Sequence, residues 1–90
     1  MEKIRRHIVF YGSVQGVGFR YRAYHAANRF GVTGYVKNLP DFSVEAELEG
    51  TEKDIDSVII EIEKSPYITI ERMKVEKLPL IGDRSFEIRD

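Results

Sequence analysis

An α/β (α+β) sandwich is the fold class predicted by this 90-residue chain: an antiparallel sheet of four to five strands with two helices on one face. Three patterns carry that expectation. Ser43 to Glu49 alternates apolar and acidic residues without a break, as a half-buried antiparallel strand does. Ala23, Ala26, Ala27 and Phe30 recur at helical spacing, as do Ile55, Val58, Ile59 and Ile62, so two helices each present one apolar stripe. Strand-like segments lie before, between and after them.

In chain order, Arg6 to Tyr11 is rich in β-branched and aromatic residues and reads as the first strand. Ile8 and Phe10 share one of its faces, and Val9 and Tyr11 the other. The run GSVQGVGFR, Gly12 to Arg20, follows, with Gly12 serving the strand exit. A helix from about Arg20 to Phe30 ends at Gly31, and its alanines let it sit close to a sheet. Val32 to Lys37 is the second strand, and Leu39 to Phe42 a turn in which Pro40 presets φ. The third strand, Ser43 to Glu49, points Val44, Ala46 and Leu48 inward and Glu45, Glu47 and Glu49 outward, and Gly50 is expected to break it. Thr51 with Asp54 three residues on resembles a capping box opening the second helix, which ends at Lys64 before Ser65-Pro66. Ile68 to Leu78 is a strand whose apolar phase slips, which calls for a bulge or kink near Arg72. Pro79 to Asp83 is a loop, and Phe86 and Ile88 mark a short final strand. The order βαββαβ plus one small strand is the ferredoxin-like arrangement. Ninety residues bury enough surface for one small core, and no repeat or linker interrupts them, so residues 1–90 read as a single domain.

Composition narrows the chemistry. The chain is 42% hydrophobic and 32% charged, which suits a globular protein and leaves no apolar run long enough to span a bilayer. No apolar segment follows the charged start, so no secretion signal is expected and the cytoplasm is the default location. With no cysteine there is neither a disulfide framework nor thiol-based metal or nucleophile chemistry. Residues 1–40 carry seven lysines and arginines against Glu2 alone, whereas residues 41–63 carry nine acids against Lys53. An anion is therefore drawn to the first part, unless folding mixes these charges in space. Gln15, Asn28 and Asn38 are the only side-chain amides, a scarcity that points to adaptation to heat.

The glycine run joins a strand to a helix N-terminus, where unpaired backbone N–H groups and the helix dipole favour an anion. Glycine allows close approach to that backbone, and an arginine at the end offers a planar fork for two phosphate oxygens. Gly12, Gly16 and Gly18 match neither the dinucleotide fingerprint nor the lysine-ended phosphate loop. By spacing alone the favoured reading is a tight turn whose arginine pairs with a surface carboxylate.

VQGVGFR (Val14 to Arg20) behind a strand, then GYVKN (Gly34 to Asn38) and SVEAELEG (Ser43 to Gly50), resembles the acylphosphatase family over the whole chain. The resemblance implies a metal-free, cofactor-free enzyme that hydrolyses the carboxyl–phosphate bond of acyl phosphates to a carboxylate and inorganic phosphate. It implies that the loop residues Val14, Gln15, Gly16, Val17, Gly18 and Phe19, together with Arg20, hold the phosphoryl group, and that Asn38 positions the attacking water. Asn38 can also be read as a turn cap, and Gln15 is expected to brace the loop from within. The family has glycine after the turn aspartate where this chain has Phe42, so a positive φ there implies backbone strain.

The other polar residues read as structural. His7 lies in the first strand and His25 on the first helix, and neither is taken as a catalytic base. The acids of the third strand and second helix read as solvated faces rather than metal ligands. Tyr11, Tyr21, Tyr24 and Tyr35 suit core and rim packing, with a groove as the alternative. A different function class is a non-catalytic phosphate- or RNA-binding regulatory module on the same fold. The slightly acidic chain lacks the RNA-binding signature of such sheets, so no nucleic acid and no membrane is expected as a partner, and the expected state is a monomer. The same fold also opens the hydrogenase-maturation carbamoyltransferase; the lack of a downstream zinc or nucleotide segment favours a free-standing enzyme.

Overall fold

The structure, a computed structural model, describes residues 2–90. Its elements are β1 (Lys3–Ser13), α1 (Phe19–Phe30), β2 (Thr33–Asn38), β3 (Val44–Thr51), α2 (Glu52–Glu63), β4 (Thr69–Leu78) and β5 (Phe86–Arg89). The five strands form one sheet in the order β4-β1-β3-β2-β5. The first four pair antiparallel, but β5 runs parallel to β2, so the sheet is mixed.

Inward residues of the strands meet the stripes of both helices in a single core. Ile8, Phe10, Val36, Val44, Ala46 and Leu48 come from the sheet, Ala23, Ala26 and Ala27 from α1, and Ile55, Val58 and Ile62 from α2. Phe10 and Phe19 pack with ring centroids 4.9 Å apart, which ties the start of α1 to β1. Thr51 caps α2 by accepting from the Asp54 N–H, and Gly31 ends α1 in a left-handed conformation.

The phase slip in β4 is resolved by a bulge: Tyr11 pairs with Arg72 and Gly12 with Ile70, leaving Glu71 as the extra residue. Ile70, Met73 and Val75 then share the helix-facing side. Gly50, by contrast, does not break β3; it pairs with Ile4, and its backbone lies against Val32.

The outer face of the sheet departs most from the expectation that the β3 acids lie in solvent. Because β4 and β5 occupy opposite edges, the 79–85 connection must cross the sheet, and it does so over these acids. Glu49 is only 5% exposed and accepts from the N–H groups of Ile81 (2.8 Å) and Gly82 (2.9 Å). Arg5, 2% exposed, reaches Glu47 at 2.8 Å, Glu49 at 3.0 Å and Asp83 at 3.0 Å. Burial pulls the Glu49 pKa up, but the Ile81 N–H, Arg5 and the Gly82 N–H outweigh it and hold the carboxyl below its usual value. Further along, His7 Nε2 meets Glu45 at 2.9 Å, and the Tyr35 hydroxyl donates to Glu45 and Glu47. Burial, with these two carboxylates, pushes the Tyr35 pKa well up. Arg6, on the helix side, pairs with Asp56 at 3.2 Å. Folding thus commits two of the N-terminal arginines to acids of β3, α2 and the 79–85 loop.

Candidate active site

Residues 14–18 leave β1 and enter α1 with Gly16 at φ +72° and Gly18 at φ +78°. Both are left-handed, and a Cβ at either would meet open space, so the backbone conformation rather than crowding asks for glycine there. Gly18 is the N-cap of α1 and supplies no side-chain cap. Among the described residues, none of the N–H groups of residues 15–19 donates to a protein acceptor. Val14 and Phe19 anchor the two ends of the loop by burying their side chains in the core.

The loop faces a cleft of about 320 Å³. Gly16 and Gly18 line it together with Arg20 and Tyr21 of α1, Asn38 at the end of β2 and Ile88 of β5. The fold therefore brings Arg20 and Asn38, eighteen positions apart in sequence, to one opening. Arg20 Nη1 donates to the Arg89 carbonyl at 3.2 Å and lies 3.4 Å from the Asp90 carboxylate, so β5 steadies the guanidinium at the cleft edge. Asp90 is fully exposed, and solvent screens that pair.

Asn38 does not cap the turn. Its side chain bonds no described residue, while Asp41 takes the capping role by accepting from the Ser43 N–H at 3.0 Å. Gln15 is placed differently from the expectation of bracing within the loop. Its side chain leaves the loop and crosses to the β2–β3 turn, donating to the carbonyls of Leu39 and Ser43. The Val17 side chain is half-buried against the core edge, and the nitrogen end of the Gln15 amide is taken up by the turn, which leaves the loop backbone as the main surface toward a ligand. Phe42, in the same turn, has φ +71° and is the only non-glycine residue with positive φ among those described.

Of the tyrosines, only Tyr21 lines the cleft. Tyr11 lies under Arg72, Tyr24 packs near Phe86, and Tyr35 lies under Arg89. His7 faces Glu45 and His25 lies against Tyr21 and Tyr24; neither lines the cleft. A larger depression of about 590 Å³ beside the start of α2 is lined by Glu2, Glu52 and Asp56 with Lys53, a balance that repels anions.

Fold and cleft together define an α+β sandwich in which a bare backbone loop at a helix N-terminus faces one arginine and one free amide. The family model described as acylphosphatase matches residues 6–88. An acylphosphatase of Bifidobacterium longum is 37% identical over 89 residues, covering 96% of this chain and 92% of that protein. The crystal structure of acylphosphatase from Bacillus subtilis superposes with a TM-score of 0.89 at 32% identity, covering 97% and 99% of the two chains. That of T. kodakarensis HypF gives a TM-score of 0.83 at 38% identity over 97% of this chain but 12% of its own, so the same unit also occurs within a much longer protein. The chain belongs to the acylphosphatase family.

Proposed function

We propose that this acylphosphatase uses the 14–20 segment as its phosphate cradle. In this reading the N–H groups of Val14 to Phe19 and the Arg20 guanidinium hold the phosphoryl group, and Asn38 places the attacking water. Water adds to phosphorus, the carboxyl–phosphate bond of the acyl phosphate breaks, and carboxylate and inorganic phosphate leave. The observation that carries the reading is the convergence on one cleft of a loop with unsatisfied N–H groups, a guanidinium and an unbonded amide.

Phosphoryl transfer spreads negative charge over three equatorial oxygens, and fixed N–H dipoles with a planar cation stabilise that charge without reorganising. A carboxylate leaves readily without being protonated, so the absence of either histidine from the cleft is no obstacle. The cradle supplies the charge stabilisation for which other phosphoryl-transfer enzymes use a metal ion, and the hydrolysis is read as metal-independent. The Asn38 amide can accept from the water while donating to substrate. The same reading makes residues 1–90 one domain, acting as a monomer in the cytoplasm on a small acyl phosphate, without nucleic acid, and with inorganic phosphate as a competing ligand. The scarcity of amides is read as adaptation to heat, which a melting temperature below about 60 °C would contradict.

Hydrolysis of an aryl acyl phosphate in the presence of a chelator tests the proposal. Arg20→Gln should lose both turnover and protection by inorganic phosphate, whereas Asn38→Ala should lose turnover and still bind phosphate. A parental rate in Asn38→Ala overturns the water-positioning role. A protein that binds phosphate but hydrolyses nothing is the non-catalytic module instead.

A further inference from the structure

We infer that Gln15 is a positioning residue for Asn38, an inference that rests on the role proposed above for Asn38. The Gln15 Nε2 group donates at 2.8 Å to the Leu39 carbonyl and at 2.8 Å to the Ser43 carbonyl. Both neighbours are carbonyl oxygens, so only the nitrogen end of the amide can face them. The same two carbonyls close the β2–β3 hairpin: Leu39 N–H donates to Ser43 at 2.9 Å and Phe42 N–H to Leu39 at 3.2 Å. Each carbonyl therefore accepts one backbone bond and one bond from Gln15. One planar nitrogen of the cradle loop thus holds the turn that begins immediately after Asn38.

The turn needs such a tie. Phe42 sits at φ +71°, so less strained shapes are open to residues 39–43 once the two carbonyls are released. Asn38 ends β2 and its side chain has no bond of its own to a described residue, so its amide moves with the turn. The tie also couples the two halves of the site, because the residue that sets the turn comes from the loop that holds the phosphoryl group. Among side chains no longer than itself, glutamine meets these demands best. Asparagine is one methylene too short, glutamate would aim lone pairs at two carbonyl oxygens, and methionine matches the length but donates nothing.

The test measures kcat, KM and inhibition by inorganic phosphate for Gln15→Met, alone and combined with Asn38→Ala, with thermal melts alongside. Gln15→Met should lower kcat roughly 10- to 100-fold, since misplacement by about 1 Å costs that much. Phosphate inhibition should change less than about threefold, because the cradle N–H groups remain. In the Asn38→Ala background Gln15→Met should cost less than about twofold further, since the group it positions is gone. Gln15→Asn should show the same split and takes the place of Gln15→Met if that variant does not fold. Unchanged kcat in Gln15→Met, weakened phosphate inhibition at constant kcat, or an equal loss in both backgrounds overturns the inference. A parental rate in Asn38→Ala removes its foundation, and is distinguished from those outcomes because there Asn38→Ala itself is slow.

Discussion

Replacing Phe42 with glycine should stabilise the protein. At φ +71° the Phe42 Cβ is pressed toward the following carbonyl, a conformation that costs an L-residue about 1–2 kcal/mol and a glycine almost nothing. The side chain is 76% exposed, so removing it uncovers little apolar surface. Against the gain stands the extra freedom of glycine in the unfolded chain, worth about 0.4–1 kcal/mol. The balance is a gain somewhat below about 1 kcal/mol, which raises the melting temperature of a domain of this size by about 3–6 °C. Thermal unfolding followed by circular dichroism, at one pH and protein concentration, reads this directly. Phe42→Ala is the control: it removes the same exposed ring but keeps the Cβ, so it should bring no gain. An unchanged or lower melting temperature for Phe42→Gly, or an equal rise for Phe42→Ala, refutes the assignment of strain to this backbone position.

Arg5→Met should cost about 3–5 kcal/mol in urea unfolding, because it leaves the buried Glu49 carboxylate without its cation; a loss under about 1 kcal/mol would show that the 79–85 loop does not depend on the pair. Gly34→Ala should cost about 2–4 kcal/mol, since its Cβ would lie 1.9 Å from the Glu47 carbonyl oxygen in the neighbouring strand; near-parental stability would mean that β2 and β3 can separate freely. Acid should destabilise the fold through Glu45 and Glu49. The hydrogen bond from His7 leads in lowering the Glu45 pKa, and both carboxyls titrate below their ordinary 4.5. Around that pH the folded chain binds fewer protons than the unfolded one, so this stabilisation is whole above about pH 5 and disappears as the pH falls through the lowered values. Glu45→Gln with Glu49→Gln should flatten the acid limb of the urea midpoint, and an unchanged limb would refute the link.

The order of elements is legible in the sequence because it rests on local periodicity. The alternation from Ser43, the alanine stripe of α1 and the isoleucine stripe of α2 each state which side faces the core, and even the phase slip in β4 announces the bulge now located at Glu71. The glycine run declares itself as a strand-to-helix loop because few other uses exist for three glycines in so short a span. Gly50 misleads because a glycine punctuates a strand in sequence, yet here it is not held at a positive φ and keeps its place in the ladder opposite Ile4.

What lies beyond the sequence is every decision made between distant segments. Alternation alone cannot tell a solvated acid from one roofed by a loop. Glu49 is buried because β4 and β5 lie at opposite edges, so their connection has to cross the face from which it points. The basic first part of the chain suggests a field for anions, but tertiary pairing takes up Arg5 and Arg6 and leaves Arg20 at the cleft. Gln15 is visible as the sole glutamine, but its partners are two carbonyls 24 and 28 positions away, which carry no residue-type signal at all. Strands, helices and the bare loop are written into the chain itself, because propensity and periodicity act within a few residues. Which arginine faces the cleft, which acids are dry and what Gln15 holds depend on strand order and register, and so on contacts the chain makes only once it has closed.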